Sequence, residues 1–168
     1  HKEYRRQRQM CIRDRPRTAP LAATLTALAL LGACSSVTRE INPEPTITSA
    51  GILAFRDICL KSAPSFAGAE TAARNHGISD LTDAGFAKMG MNEDQSLGVQ
   101  IQANKECAIT TPTQNDSSLT QQFLSVAGKF SSTPVAQSVP SKITLNGQTF
   151  ILMHDRRGGE AYVMLKTQ

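Results

Sequence analysis

The sequence has no tryptophan, and its two tyrosines and six phenylalanines make aromatic residues scarce. We therefore expect a modest core built mainly from aliphatic side chains. The short motifs that carry chemistry are also missing. There is no G-x-S-x-G turn, no glycine-rich phosphate loop, and no H-E-x-x-H, C-x-x-C or EF-hand spacing. These absences predict no catalytic residue, no metal site and no bound cofactor.

Long apolar runs are missing too, with one exception. Residues 21–31 form an uncharged run of Leu, Ala and Thr, followed by Gly32, Ala33 and Cys34. A membrane-spanning helix needs about 20 apolar residues, so this run is too short to cross a bilayer. Its length and the small residues after it are instead typical of a cleaved export signal.

The segment 21–36 resembles the signal peptides of bacterial lipoproteins, which end in a lipobox. The resemblance implies that Cys34 carries a diacylglycerol, that the chain is cleaved before it, and that this lipid anchors the protein to a membrane. Ser35, rather than an aspartate, resembles the pattern of lipoproteins forwarded to the outer membrane. We therefore expect the periplasmic face of the outer membrane, with the inner membrane as the alternative.

The amino terminus carries most of the positive charge. Residues 5–15 resemble a translated sequencing adapter, so we interpret 1–15 as an artefact and 16–33 as an N-terminally truncated signal peptide. Of the 18 Lys and Arg residues seven lie in 1–17, and of the 14 Asp and Glu residues two lie there. The residues from Cys34 onward therefore include 11 basic and 12 acidic side chains. This balance predicts no nucleic-acid partner.

The four cysteines fall into three groups. Cys11 belongs to the adapter-like segment, and Cys34 is the predicted lipid site. A lone remaining pair in an exported chain predicts a disulfide between Cys59 and Cys107. The alternatives are two free thiols or a metal pair, although no other soft ligand clusters nearby in the sequence.

Periodicity divides the rest of the chain. Residues 34–48, with two prolines, predict a lipidated tether, and 49–168 a single periplasmic domain. Helical spacing predicts helices over 49–61, 65–77 and 116–130, with a helical turn at 80–84. Alternation predicts strands over 86–91, 96–103, 106–110, 142–145, 148–154 and 160–166. The predicted fold class is α+β: an antiparallel sheet of about five to six strands with two to three helices packed on one face.

Few titratable residues stand out. His76 is predicted at the end of a helix, where its side chain can meet the last carbonyls. His154 precedes Asp155, but neighbouring strand residues point to opposite faces, so the two do not predict a catalytic dyad. Asp155, Arg156 and Arg157 form the tip of a predicted hairpin and are the candidate interaction loop.

The methionines allow two interpretations. Met89 and Met91 are two residues apart, and Met153 and Met164 lie on neighbouring predicted strands. Thioethers suit Cu(I) in a periplasmic carrier. Methionines also fill irregular cores, and this is the commoner use of such residues.

The pattern F-x-x-I-C in the first helix and E-C-A-I in a strand resembles small proteobacterial envelope lipoproteins, a resemblance that implies no activity. We expect a non-catalytic binding or accessory module with an envelope protein as its partner. One alternative is an inhibitor of a lytic or proteolytic enzyme, acting through the loop 155–159 or 134–140. The others are a small periplasmic enzyme and a Cu(I) carrier.

Overall fold

The fold is given by a computed structural model that describes residues 46–168. The predicted artefact, the signal peptide, Cys34 and most of the tether lie outside the described residues. The helices are α1 (Ala50–Phe55), its π-helical continuation (Arg56–Leu60), α2 (Ala69–Asn75) and α3 (Leu119–Gly128). The strands are β1 (Thr82–Asp83), β2 (Lys88–Met91), β3 (Gly98–Gln102), β4 (Glu106–Thr111), β5 (Ser141–Leu145), β6 (Gln148–Asp155) and β7 (Glu160–Lys166).

The seven strands form one antiparallel sheet in the order β1-β2-β3-β4-β7-β6-β5. This confirms the predicted α+β class, with one strand more than expected. The additional strand is β1. The predicted helical turn at 80–84 is wrong, because Thr82 and Asp83 pair with β2 instead.

The two faces of the sheet have different surroundings. On the inner face, alternate residues such as Ile101, Ile109 and Met164 are buried against the helices. The residues between them point to the outer face, which no described helix covers. This one-sided packing is the arrangement that the strand alternation predicts.

Helix α3 covers the part of the inner face near β7, where the rings of Phe123 and Tyr162 lie 5.3 Å apart. Leu119, Phe123 and Val126 recur at helical spacing and are buried, as the periodicity predicts. The helix ends at Gly128, so Phe130 lies beyond it and stays partly exposed. None of the helices in 46–168 has the length and apolarity needed to cross a bilayer.

The second helix begins later than its pattern predicts. Phe66 has a φ of 61°, in the left-handed region that a helix cannot include. The chain therefore turns through 61–68, and α2 starts at Ala69. The predicted Asn146-Gly147 turn is confirmed, with φ values of 49° and 77° as a type I′ hairpin requires.

The predicted disulfide is present. It joins Cys59, in the π-helical segment, to Cys107 on the inner face of β4, with the Cα atoms 5.5 Å apart. The bond closes a loop spanning 48 positions. Chain-entropy arguments give such a loop about 4 kcal/mol of stabilisation. The disulfide thus links the π-helical continuation of α1 to β4, the central strand of the sheet.

Candidate functional site

A buried polar cluster lies where the β6–β7 hairpin meets α3. His154 pairs across the hairpin with Tyr162, and Glu160 lies two residues before Tyr162 on the same inner face. The side chains of His154 and Glu160 are both 0% exposed. A charged group removed from water must be paired and hydrogen-bonded, so the contacts of Glu160 decide what this cluster does.

Three side chains form a continuous hydrogen-bonded line. Thr120, in the first turn of α3, places Oγ1 2.9 Å from His154 Nδ1. His154 Nε2 lies 2.8 Å from Glu160 Oε2. An ionised carboxylate only accepts, so Nε2 carries the proton and Nδ1 accepts from the Thr120 hydroxyl.

The rest of the Glu160 carboxylate is also engaged. Its Oε1 accepts from the Gln114 N–H at 3.1 Å, and its Oε2 lies 3.1 Å from Arg156 Nε. Arg156 Nη2 continues to the carbonyls of Gln114 and Asp116, at 2.8 and 3.0 Å. One carboxylate therefore holds together β6, β7, α3 and the loop that leads into α3.

The cluster shifts the pKa values of its members in consistent directions. Burial lowers the pKa of His154 and outweighs the neighbouring Glu160 carboxylate, so the imidazole is neutral near pH 7. Burial alone would raise the pKa of Glu160, but donors from Gln114, His154 and Arg156 outweigh it and lower that pKa. The pair is thus a neutral imidazole donating to a carboxylate.

The order hydroxyl, imidazole, carboxylate is the one that activates nucleophiles in many hydrolases. Such a site also needs a cavity where a substrate meets the hydroxyl. Here the side chains of His154 and Glu160 are both 0% exposed, so a substrate in solvent meets neither the imidazole nor the carboxylate. The arrangement therefore fits a buried structural contact between α3 and the sheet.

The predicted interaction loop divides into an inward and an outward part. Arg156 turns back onto Glu160 and two backbone carbonyls, so it contributes to the fold. Arg157 is 91% exposed and pairs with Asp155 at 3.0 Å. All three predicted residues reach solvent, with side-chain exposures of 47% for Asp155, 36% for Arg156 and 91% for Arg157, so Arg157 is the most fully presented of them.

His76 does not join His154. Its backbone caps the end of α2, but its Nε2 lies 3.2 Å from Asp57 Oδ2. Asp57 also pairs with Arg56 and Lys61, and the hydrogen bond from Arg56 is the main cause that lowers its pKa. The backbone N–H of His76 donates to the Ala73 carbonyl at the end of α2, whereas its side chain contacts Asp57. His76 therefore belongs to an ion-pair cluster on the helical side of the molecule.

The outer face of the sheet is the second candidate site. Small residues on its central strands leave a groove of about 460 Å³. Its lining includes Met89 and Met91 from β2, Gly98 from β3, Ala108 from β4, and Ala161 and Val163 from β7. A Cβ at Gly98 would lie 2.5 Å from Thr110 Oγ1, so this strand pair cannot take a larger residue without a shift.

The four methionines within residues 46–168 do not gather into a soft-metal site. Met89 and Met91 both lie on the outer face and are 41% and 51% exposed. Met153 lies on the same face but four strands away from Met89, which is about 19 Å at the usual strand spacing. Met164 is buried on the inner face, so the predicted proximity of Met153 and Met164 brings their backbones, not their thioethers, together.

Sequence reasoning weighed His154 only against its neighbour Asp155 and missed Glu160. The signal was available, because a hairpin with its turn at 156–159 sets residues 154 and 160 at the same end of two paired strands. With Tyr162 opposite His154, strand alternation places Glu160 on the inner face as well. In comparisons with known proteins, the chain matches no family model, no curated protein and no solved structure, so its function is argued from these two sites.

Proposed function

We propose that this chain is a lipid-anchored protein of the bacterial cell envelope, whose folded domain acts by binding a protein partner and not by catalysis. The outer face of the sheet is the binding surface. The observation that carries the proposal is the apolar groove on this face, which no described helix covers. The anchor is argued from the lipobox-like sequence of residues 21–36.

The exposed apolar side chains support this choice of surface. Met89, Met91 and Met153 are three of the five large hydrophobic residues that are exposed in the described chain, and all three lie on the outer face. Met89 and Met91 line the groove together, and Met153 lies at the far end of the same cross-strand row, beyond Val163 and Ala108. A contiguous apolar patch marks an interaction site, whereas single exposed residues do not. Methionine suits such a surface because its flexible thioether adapts to the shape of a partner.

The groove indicates what kind of partner fits. It crosses the central strands β3, β4 and β7, and its polar lining is limited to residues such as Gln100, Glu106 and Thr110. A space of about 460 Å³ holds a few side chains. The partner therefore presents two or three apolar side chains from one segment, with polar groups at its margins.

The hairpin tip at 155–159 favours a second candidate function, the inhibition of an enzyme. Arg157 is 91% exposed and held by Asp155, so the tip presents a charged side chain on a rigid hairpin. A tip of this kind could enter the cleft of a lytic or proteolytic enzyme. In that case the contact would centre on Arg157 and leave Met89 and Met153 free.

Site-specific photo-crosslinking in bacterial envelopes tests the binding surface. A photo-reactive amino acid at 89 or 153 should capture the same partner, whereas one at Asn75, exposed on α2, should capture none. Met91→Asp should abolish capture from 89, because both positions line the groove and the substitution places a charge there. Equal capture from 75 would contradict the proposal, and capture from 157 alone would favour the inhibitor.

The anchor is tested separately. Mass spectrometry of the protein made in bacteria with a native signal peptide should show Cys34 as the acylated first residue. Cys34→Ser is the matched control and should stay uncleaved and unmodified. An unmodified Cys34 with residues 16–33 still attached would contradict the anchor but leave the binding surface to be judged by crosslinking.

A further inference from the structure

The sulfur atoms of the described domain differ sharply in their exposure to solvent. Residues 46–168 contain four methionines and two cysteines. Three of the methionines are at least 38% exposed, and all three lie on the outer face: Met89, Met91 and Met153. Met164 and the disulfide-bonded Cys59 and Cys107 are 0% exposed. Within this part of the chain, an oxidant in solvent therefore meets sulfur only on the outer face.

The exposed methionines lie at defined places on the proposed binding surface. Met91 pairs with Gly98 across β2 and β3. A Cβ on Gly98 would lie 3.6 Å from Met91 Cγ, so the Met91 side chain lies beside the space that the glycine leaves open. Met89 begins the cross-strand row that ends at Met153. Oxidation of any of the three therefore changes the chemistry of this surface.

A methionine sulfoxide would not suit an apolar binding surface. Oxidation converts the flexible apolar thioether into a polar group that accepts hydrogen bonds. Ala108 and Val163, which lie in the row between Met89 and Met153, have no side-chain donor to offer it. Covering a polar group without a hydrogen-bond partner is unfavourable. A protein partner seated on the oxidised face should therefore bind at least about tenfold more weakly.

We propose that the outer face is a site of reversible methionine oxidation, at which a peroxide converts Met89, Met91 and Met153 to sulfoxides and so prevents partner binding. The O–O bond of hydrogen peroxide breaks, one oxygen atom bonds to the sulfur, and the other leaves as water. The sulfur loses two electrons, which the peroxide takes up. Methionine sulfoxide reductases, supplied with a thiol, restore the thioether. The proposal rests on the proposed function of this face and adds its regulation.

Treatment of the purified protein with hydrogen peroxide tests the site without a partner. Peptide mass spectrometry over time should show one added oxygen on each outer-face methionine at least about tenfold sooner than on Met164, because reactivity follows exposure. The urea midpoint should stay unchanged while Met164 is spared, and methionine sulfoxide reductases A and B with dithiothreitol should remove the added oxygen. Equal rates at all four methionines, a lowered midpoint or irreversible oxidation would overturn the site.

Crosslinking in bacterial envelopes tests the effect on binding. A photo-reactive amino acid at 163, which lines the groove and is not a methionine, should capture the partner, and peroxide should lower this capture at least about tenfold. The matched control is the triple variant Met89→Leu, Met91→Leu and Met153→Leu, which keeps apolar side chains of similar size and should keep its capture after peroxide. Equal loss in the wild type and the leucine variant would overturn the proposal.

A second variant separates this proposal from the proposed function. Met89→Gln with Met91→Gln places uncharged polar groups where the sulfoxides would form, and should lower capture from 163 without any oxidant. Capture that persists in the glutamine variant or in the oxidised wild type would overturn the regulation and leave the binding surface standing. Absence of capture from the untreated wild type would instead overturn the binding surface and, with it, the regulation of partner binding.

Discussion

His154 donates from Nε2 to Glu160 across 2.8 Å, at a place where neither side chain meets solvent. A buried carboxylate is tolerated only when its lone pairs are filled, and here Gln114 and Arg156 complete the set. The cluster joins four segments that the disulfide does not reach. We therefore expect it to contribute stability and to leave partner binding to the opposite face.

Removing the buried charge should cost stability. Glu160→Gln keeps the size of the side chain but removes the charge that His154 and Arg156 contact. We expect the free energy of unfolding to fall by about 2–3 kcal/mol, because charged hydrogen bonds are lost and Arg156 is left without its carboxylate. Urea unfolding followed by circular dichroism measures this change.

Asp155→Asn is the matched control for that measurement. It removes a carboxylate only five residues away, but one whose ion pair with Arg157 is exposed to solvent. Exposed pairs contribute about 0–1 kcal/mol, so its effect should be small. Equal losses in the two variants would contradict the role given to the buried cluster.

Stability should depend on pH through His154. The unfolded imidazole titrates near 6.5, and burial lowers the folded pKa below that value. Between the two pKa values the unfolded state binds more protons, so the free energy of unfolding rises with pH in that window and falls as pH drops below 6.5. Glu160 and Asp57, with lowered pKa values, act only at more acidic pH, below the ordinary carboxyl range.

The measurement is the urea midpoint between about pH 5 and pH 8, for the wild type and for His154→Gln. One group changes the slope by at most about 1.4 kcal/mol per pH unit. The wild type should lose stability as the solution is acidified below pH 6.5, and the variant should lose less over the same range. A variant with the same slope as the wild type would show that another group titrates.

Much of the fold could be predicted because its signals are local. The Asn146-Gly147 turn, the alternation in β3 and the apolar spacing in α3 each depend on a few neighbouring residues. Phe66 could not be predicted, because its left-handed backbone is imposed by tertiary packing and a Phe carries no sign of it. Similarly, β1 is a two-residue strand whose only signal is its pairing with β2.

The candidate sites depend on longer-range relationships. In the sequence, Glu160 is simply a polar residue at the end of a predicted hairpin. The strand register is what places it on the inner face. The groove on the outer face is harder to predict, because its lining comes from β2, β3, β4 and β7, which become neighbours only through the strand order of the sheet. Knowledge of strand order, which no local pattern supplies, would have found both.

The disulfide should supply a large share of stability. Cys59→Ala with Cys107→Ala should lower the free energy of unfolding by about 4 kcal/mol, because the unfolded chain regains the freedom of the closed loop. Urea unfolding of this variant against the oxidised wild type measures the change. Oxidised and reduced wild type with the same urea midpoint would contradict the prediction.

Thr120 should not behave as a nucleophile. A fluorophosphonate probe should leave the wild-type protein unlabelled, because the imidazole of His154, which would have to activate Thr120, is fully buried. Thr120→Val should lower stability by about 1 kcal/mol through the lost hydrogen bond to His154. Labelling that disappears in Thr120→Val would show instead that the buried line is catalytic.

The most direct measurement of the binding surface is maleimide labelling of single introduced cysteines, in intact envelopes and in purified protein. Met89→Cys and Met153→Cys should react readily when purified and be protected in envelopes, where a partner covers the outer face. Asn75→Cys, on the helical side, should react equally in both. Equal reactivity of all three positions in both preparations would contradict the account.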